Sequence, residues 1–321
     1  MPCCNLFQKL GQSHEIFTLE FAARNEYSKV NTIGSVMKAN AIDLDHAGVA
    51  GRDLDLLAAA YQRLGFTLTP RARHSGRRTP DGLVEPFGTA NRCIMLRQGY
   101  LELIAIVDAS CYSNGLDRFL ARHPGLHIIA LSIGDESKNL RRLRQAGIDI
   151  PGVAWLERPV DDADPNGLRA RFARLPLPDA PEGRIQLIRH LTPEAIWQPR
   201  FLDHANHAGA LEEVVLAVEN PAESAARFSL LAGRHAVANG AGGYTLNFER
   251  SRLRLLPAKA LQAELPEVNI ASLPLIAAIT ISTDDSTRAI RGLVEGIAHR
   301  EVPGGIVVAP EAAGGAAIIF K

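Results

Sequence analysis

The sequence predicts an α+β fold in which one βαβββ module, a strand followed by a helix and three further strands, occurs four times. The first observation is a glycine at the expected end of each predicted helix, at positions 65, 147, 233 and 296. The second is an apolar stripe of helical period before each glycine, and the third is a set of short strand-like runs after it. Because helix breakers and periodicity agree in all four places, the repeat is better supported than any single element.

The first module begins at Ala41, where the run AIDLDHAGVAG predicts a strand. Asp53 can cap the helix that follows, and Gly65 stands where a left-handed helix end belongs. The run FTLTPRAR predicts a second strand, which leads into a loop rich in Gly, Pro and Arg. The runs NRCIMLRQG and GYLELIAIV predict the last two strands, with a tight turn at Gln98-Gly99.

The second module follows the same order. The run LHIIALSIGD predicts its first strand, and Asp135 and Gly147 bound its helix. The runs IDIPGVAWLERPV, RARFARLPL and GRIQLIRHL predict its three remaining strands.

The third and fourth modules repeat the pattern with less regular spacing. In the third, LEEVVLAVENP leads into a helix with Asn220 as its cap and Pro221 at its first position, and GYTLNFE and SRLRLLPA follow. In the fourth, LIAAITIST precedes a helix with Ile290 and Leu293 on one side, and GGIVVAP and AAIIFK predict the last strands.

We expect the modules to pair, because one module cannot cover its own sheet. Modules one and two would form a curved eight-stranded mixed sheet around a cleft, with the helices outside, and modules three and four would form another. The predicted domains are residues 41–193 and a more divergent second domain at 209–321, joined by a linker at 194–208. Residues 1–40 lack a clear apolar period, and we interpret them as a poorly ordered extension.

The composition indicates a globular protein. The chain is 46% hydrophobic, and its 35 Lys and Arg balance its 35 Asp and Glu. This neutrality argues against nucleic-acid and membrane-surface partners, which would require a basic excess. No run approaches the ~20 apolar residues of a membrane span, and four cysteines do not make a disulfide framework. We therefore predict a cytoplasmic protein without nucleic-acid or membrane partners, and a homodimer is compatible with this interpretation.

Four short motifs of the first module follow one another in a fixed order. They are Asp45-His46 in the first strand, His74 before the third strand, the turn Gly88-Thr89-Ala90-Asn91 and the last-strand segment Tyr100-Leu101-Glu102-Leu103. In this order they resemble the glyoxalase-like domain proteins of the vicinal oxygen chelate superfamily, which includes glyoxalase I, extradiol dioxygenases and bleomycin-resistance proteins. The strong part of the resemblance covers residues 41–108, and it implies the paired-module fold of that superfamily and a small-molecule substrate.

The resemblance also implies a divalent metal, held by one residue from the first strand of a module and one from its last. In module one these residues are His46 and Glu102. In module two the last strand offers Gln186, and in module three the first strand offers Glu213. Gln186 or Glu213 would complete the set, depending on which modules face each other. Such ligands suit Zn, Fe, Mn, Ni or Co, and a cleft without any metal is an equally open alternative.

Further candidate residues come from the same alignment. We expect Glu102 and His74 to move protons, since the unperturbed pKa of a histidine lies near neutral pH. Thr89 and Asn91 offer hydrogen bonds to a substrate, although a plain turn would explain them as well. Arg254 stands where module three would place a metal ligand, and it can pair with a neighbouring carboxylate or bind an anionic substrate.

The segment from Arg71 to Phe87 is rich in arginine, and Gly76 and Gly82 give it places to bend. We expect it to act as a lid over the cleft. Its arginines would make the entrance positive and attract substrates with a carboxylate or an enolate-like group. The alternative is a mobile loop that touches nothing.

Two functional hypotheses follow from the resemblance. One is a metal-dependent lyase, isomerase or dioxygenase for a small oxygenated substrate, in which the metal polarises an oxygen and a carboxylate moves the proton. The other is a metal-free protein of the same fold that binds and sequesters a small molecule. The number of metal ligands separates the two hypotheses.

Overall fold

Two eight-stranded mixed sheets form the part of the protein that the structure describes. The computed structural model describes residues 40–78, 82–164, 166–178, 180–285 and 287–321. The predicted N-terminal extension, residues 1–40, lies outside these ranges except for Asn40. Within the described ranges no helix is both long enough and apolar enough to span a membrane.

The first sheet contains modules one and two. Its elements are β1 (Ala41–Gly51), α1 (Leu54–Arg63), β2 (Ala72–Gly76), β3 (Glu85–Met95), β4 (Tyr100–Ile106), α2 (Leu116–Arg122), β5 (Gly125–Ile133), α3 (Glu136–Gln145), β6 (Ala154–Pro159), β7 (Arg169–Pro176) and β8 (Arg184–His190). The strands lie in the order β2-β3-β4-β1-β5-β8-β7-β6, with β1 parallel to β4 and antiparallel to β5. The two edge strands meet, since the Asp162 carboxylate just after β6 accepts a 2.7 Å hydrogen bond from Arg73 N of β2. The sheet therefore curls into a nearly closed barrel.

The second sheet contains modules three and four. Its elements are β9 (Ala208–Val218), α4 (Pro221–Ala232), β10 (Ala236–Ala238), β11 (Tyr244–Asn247), β12 (Arg252–Pro257), α5 (Ala258–Glu264), β13 (Leu275–Thr283), α6 (Arg288–Leu293), β14 (His299–Val302), β15 (Gly305–Val308) and β16 (Ala317–Phe320). The strand order β10-β11-β12-β9-β13-β16-β15-β14 repeats that of the first sheet, module for module. The predicted fold class, four βαβββ modules paired into two mixed sheets, is confirmed.

The helix boundaries follow from local chemistry that the sequence displays. The Asp53 carboxylate accepts hydrogen bonds of 2.8 and 2.9 Å from two backbone N–H groups in the first turn of α1. Asn220 caps α4 in the same way at 3.2 Å, and Pro221 occupies the first helical position. The four predicted glycines all adopt positive φ, from 65° at Gly233 to 82° at Gly65. Glycine is favoured there because it has no Cβ to clash in the left-handed region.

Strand alternation gives each sheet a helix-covered face and an opposite face. On β4, Leu101 and Leu103 are fully buried in the apolar core that contains residues of α1, α3, α4 and α6. Tyr100 and Glu102 alternate with them and line a cavity on the opposite face. The cleft of the first sheet thus lies on the face that these four helices leave uncovered.

One predicted strand of module one is displaced. The prediction placed it over FTLTPRAR, whereas β2 begins at Ala72 and includes His74. Pro70 cannot donate to a strand ladder, so regular pairing with β3 starts only after it. His74 consequently lies on a strand at the edge of the sheet, and only the residues after Gly76 form a loop.

Two helices and two strands were not predicted. α2 and α5 contain seven residues each, which is too short for an apolar period to be recognised. β10 and β14 contain three and four residues and form the two edges of the second sheet. These omissions affect the site, because α2 borders it and α5 fills the corresponding place in the second sheet.

Candidate functional site

The cleft of the first sheet is a cavity of about 130 Å³ between the two modules. Module one contributes His46, His74, Asn91 and Glu102 to its wall, and module two contributes Arg158, Arg174, Arg184 and Gln186. Strand alternation explains most of this selection, because most of these residues stand two or four positions from another cleft-lining residue of their own strand. His74 lies at an irregularity in the pairing of β2 with β3. The predicted site residues of modules one and two are thereby brought together.

A β-bulge in β1 turns two consecutive side chains to the same side. Leu44 pairs with Leu131 and His46 with Ala130, so that Asp45 is an extra residue in the ladder. As a result Asp45 Oδ1 lies 2.8 Å from His46 Nδ1, and both of its oxygens lie 3.1 Å from His190 Nε2. Without the bulge, Asp45 and His46 would face opposite sides of the sheet.

Asp45 orients His46 by a buried hydrogen bond. Burial opposes ionisation of Asp45, but His190 and His46 outweigh it and hold the pKa of the carboxyl well below its ordinary value. An ionised carboxylate only accepts hydrogen bonds, so His46 donates through Nδ1 and, as a neutral imidazole, carries its lone pair on Nε2. His46 also stacks on Tyr100, with ring centroids 4.4 Å apart. These two contacts fix the direction of the Nε2 lone pair, which lies on the Glu102 side of the ring.

Glu102 stands at the centre of the module-one wall. Its Oε1 accepts a 2.6 Å hydrogen bond from Asn91 Nδ2 and lies 3.7 Å from His74 Nε2. Its Oε2 lies 4.0 Å from His46 Nε2. Burial raises the pKa of this carboxyl, yet His46, His74 and Asn91 together lower it below its ordinary value. Glu102 is therefore ionised at neutral pH although it is 9% exposed.

His74 is a neutral neighbour of that carboxylate. Burial lowers the pKa of His74 to about 4, and Arg158 acts in the same direction while Glu102 opposes it. Its Nδ1 lies 2.9 Å from Thr89 Oγ1, which orients the ring. Thr89 thus positions His74, whereas the sequence analysis had considered it for substrate binding.

Three arginines of module two form the opposite wall. Arg158 lies on β6, Arg174 on β7 and Arg184 on β8. Arg184 donates to the backbone oxygen of Asn114. Arg174 donates to Gln186 Oε1 at 3.3 Å, but its Nε is buried without a hydrogen-bond partner. Within the part of the chain that the structure describes, neither Arg158 nor Arg174 forms an ion pair with a carboxylate, so this wall carries net positive charge.

Burial also acts on Arg174 itself. It lowers the pKa of the guanidinium to about 10, with a smaller contribution from Arg184. The guanidinium remains charged at neutral pH, although burial of its charge costs free energy. A partly buried guanidinium that lacks a carboxylate partner is typical of a site that receives an anion.

Glu213 and Arg254 do not belong to this cleft, and the predicted ligand set needs this correction. They lie on the second sheet, where Arg254 Nη2 is 3.1 Å from Glu213 Oε1 and 2.7 Å from Glu264 Oε1. Arg252 also forms an ion pair with Glu213. The physical reason is the pairing of the modules, because module three faces module four and not module one. Gln186 is accordingly the residue that faces the His46–Glu102 pair.

The second sheet has no comparable cleft at these positions. Leu261 of α5 and the following Leu265 and Val268 pack against Val215 and Ala217 on the face that carries Glu213. The positions equivalent to His46 and Glu102 hold an ion pair beneath this apolar cover. Arg254, which the sequence suggested as a substrate contact, instead forms ion pairs with Glu213 and Glu264 in the second sheet.

The cleft residues do not fit a divalent metal with three or more protein ligands. Among the described residues, no group of three or more His, Cys, Asp or Glu side chains could hold a metal ion. His46 and Glu102 supply two donors, while the oxygen of Gln186 already accepts a hydrogen bond from Arg174. The arginine wall on the same cavity would repel a divalent cation.

The arginine-rich segment does not supply the positive charge of the cleft. Arg71 lies 3.6 Å from Asp162, Arg78 forms an ion pair with Glu85, and Arg77 donates to the backbone oxygen of Gly82. These contacts are at the surface, and residues 79–81 lie outside the described ranges. The cations of the cleft are arginines of module two, and they were not among the predicted site residues. The spacing of Phe172 and Arg174 on one face of a strand could have indicated the second of them.

Residues 44–231, more than half of the chain, match the model of a protein family described as a glyoxalase-like domain. Among solved structures, the chain is similar to a hypothetical protein from Staphylococcus aureus, with a TM-score of 0.57, 13% identity, and coverage of 87% of this chain and 98% of that one. It is also similar to a mutant of 4-hydroxymandelate synthase from Streptomyces coelicolor, with a TM-score of 0.55, 13% identity, and coverage of 88% and 93%.

A third similar structure is a xylose isomerase-like TIM barrel/4-hydroxyphenylpyruvate dioxygenase fusion protein, with a TM-score of 0.52, 18% identity and coverage of 91% of this chain. The match spans 51% of that protein. No curated protein matches the sequence. At these identities the structural likenesses show the fold alone.

Proposed function

The chain belongs to the glyoxalase-like domain family, and we propose that its first-sheet cleft binds a small oxygenated anion and transfers a proton on it, as a lyase or an isomerase. One observation carries this proposal. A proton-accepting wall from module one faces a cationic wall from module two across a cavity of about 130 Å³, and the Nε of Arg174 in that wall has no hydrogen-bond partner.

The cationic wall favours a substrate with a carboxylate next to a carbonyl. Arg158 and Arg174 border the cleft without carboxylate partners among the described residues. A guanidinium binds a carboxylate through two parallel N–H bonds, and such charge-assisted bonds are stronger than neutral ones. The same cations would stabilise an enolate oxygen as negative charge develops on it.

The opposite wall supports His46 as the general base. In the step that we propose, His46 Nε2 removes a proton from the carbon beside the substrate carbonyl. The C–H bond breaks, its electron pair forms the enolate, and the imidazole holds the proton. This proton exchanges with water, so that in D₂O a deuteron returns to carbon from the imidazolium. Asp45 and Glu102 flank the resulting imidazolium at 2.8 and 4.0 Å, and two carboxylates favour its positive charge.

Glu102 and His74 complete this arrangement. Asn91 and His74 hold Glu102 in place, and His74 is a neutral donor above pH 4 that can reach a substrate oxygen from the same wall. We assign the chemistry to these side chains because the donor set does not fit a resident metal. A dioxygenase reaction is therefore not the function that we propose.

Exchange of carbon-bound protons tests the proposal directly. Pyruvate in D₂O should lose its methyl proton signal faster with the protein than with buffer, as followed by NMR. His46→Ala and Glu102→Gln should abolish or strongly reduce this exchange, whereas the exposed His299→Ala on the second sheet is the matched control.

Binding measurements separate the remaining outcomes. Pyruvate should bind, and its neutral methyl ester should bind at least about tenfold more weakly, as expected when a charge-assisted bond is lost. If pyruvate binds and no exchange occurs, the cleft sequesters a small anion and does not act on it. If the neutral ester binds as well as pyruvate, the role of the arginine wall is refuted.

A further inference from the structure

An outer chamber of about 650 Å³ adjoins the cleft. Residues 112–115 and the start of α2 form one side of it, and the ends of β7 and β8 form the other. The chamber and the cleft share four wall residues, namely Asn114, Arg174, Arg184 and Gln186. The two cavities are therefore neighbours along one continuous wall.

Arg174 stands between the two cavities. Its Nε is buried and lacks a hydrogen-bond partner, and its hydrogen bond to Gln186 leaves most of its donors available. A buried guanidinium atom without a partner is costly unless a ligand satisfies it. Because Arg174 borders both cavities, its remaining donors can bind polar ligand atoms in either of them.

A second cation faces the chamber from α2. The guanidinium of Arg118 lies over Gly115, where an added Cβ would be 3.2 Å from Arg118 Nε. Gly115 has a φ of +71°, so the turn itself favours a residue without a side chain. Asp117 also lines the chamber as a carboxylate, so that three arginines, Arg118, Arg174 and Arg184, stand against one carboxylate in the lining. Arg118 and Arg174 thus place positive charge on two sides of the chamber.

The volume of the cleft also indicates that the ligand extends into the chamber. Small-molecule sites usually measure roughly 300–1,000 Å³. The cleft alone, at about 130 Å³, is smaller than this range, whereas the chamber, at about 650 Å³, lies within it. A ligand that reacts at His46 and has the usual volume of such a site therefore extends past Arg174 into the chamber.

We propose that the outer chamber binds a second acidic group of the same substrate, a carboxylate or a phosphate-like group, between Arg118 and Arg174. This inference rests on the proposed function, and it names the substrate class as small dianions with a reactive carbonyl near one of their two acidic ends. The carbonyl end lies in the cleft, and the second acid lies in the chamber.

Calorimetric titration with a series of 2-oxo acids tests the proposal. Pyruvate carries one acidic group, and 2-oxoglutarate carries a second carboxylate. Its analogue 2-oxo-4-phosphonobutyrate carries a phosphonate in that place and distinguishes the two chemical sources. We expect at least one of the dianions to bind about tenfold more tightly than pyruvate, as one additional charge-assisted contact would allow.

Two variants identify the chamber as the source of the difference. Arg118→Gln should reduce the dianion preference to about threefold or less and leave pyruvate binding unchanged. Arg141→Gln, an exposed arginine on α3, is the matched control and should keep the full preference. Unchanged pyruvate binding also shows that Arg118→Gln is folded.

The outcomes separate the two proposals. If pyruvate binds but neither dianion binds more tightly, or if Arg118→Gln keeps the preference, the chamber proposal is wrong and the cleft proposal stands. If neither pyruvate nor the dianions bind, the proposed function itself fails.

Discussion

Arg174 gives the sharpest prediction, because it should stabilise binding and destabilise the fold. Its pKa of about 10, against an ordinary value of 12.5, means that burial disfavours the charged form by ~3 kcal/mol at 1.36 kcal/mol per pKa unit. The side chain is only partly buried, so solvent screening reduces this figure to about 1–3 kcal/mol. Arg174→Met keeps the apolar stem and removes the charge. We therefore expect the free energy of unfolding to rise by about 1–3 kcal/mol.

The same substitution should weaken the binding of pyruvate. Loss of a charge-assisted hydrogen bond costs roughly 1.5–3 kcal/mol, which corresponds to an affinity about 10- to 100-fold lower. Chemical denaturation at pH 7 and calorimetric titration measure the two effects on the same sample. An increase in stability together with a loss of affinity is the expected signature of a residue retained for ligand binding.

Arg171→Met is the matched control on the same strand. Arg171 is three residues away, its side chain is 57% exposed, and it lies 2.6 Å from Glu157. Its substitution should change stability by about 0.5 kcal/mol or less and leave binding unchanged. A less stable Arg174→Met variant, or one that binds pyruvate as well as the wild type, would refute the explanation of the unpaired guanidinium.

Three further predictions concern pH, metal and the second sheet. His74 is neutral in the folded protein down to about pH 4 but takes up a proton near pH 6.5 on unfolding, so stability should fall as the pH drops through this window. His74→Gln should flatten that fall by up to ~3 kcal/mol in denaturant titrations, and an unchanged slope would contradict the burial argument. Treatment with a chelator should leave the melting temperature and pyruvate binding unchanged, whereas a lower melting temperature would indicate a bound metal. Arg254→Ala should lower the free energy of unfolding by about 2–4 kcal/mol, because the buried Glu213 loses one of its two ion pairs. Pyruvate binding should not change, and a loss of binding would place Arg254 in the site.

The repeat could be predicted because each of its boundaries is a local feature. Asp53 and Asn220 cap helices with their own side chains, and Gly65 ends a helix through its own φ. None of these depends on a distant contact. The modules pair because each sheet must bury a face, so the two-sheet architecture could also be predicted from the sequence.

The site could be predicted only in part, because much of it depends on register. His46 and Glu102 stand in neighbouring strands that face one cleft, and family motifs mark both. Asp45 belongs to the same motif as His46, but it reaches the same side through a bulge that the strand pattern does not reveal. In the sequence Arg174 resembles an ordinary solvent-facing strand residue, because its place in the cleft wall depends on the pairing of the two modules. The sequence predicted that the arginines between Arg71 and Phe87 make the entrance positive, whereas the cations that line the cleft are single arginines in the strands of module two.

The two sheets show why a common module can hold a cleft in one place and a core in another. In the second sheet α5 starts at Ala258, directly after β12 ends at Pro257, so the helix folds back over the strand face and covers Glu213. In the first sheet residues 107–115 separate β4 from α2. This spacing lets α2 pack at one end of the cleft face, with Phe119 in the same apolar cluster as Ile104, and leaves room for both cavities. The length of one connection, more than the identity of the residues beneath it, therefore decides which sheet can admit a ligand.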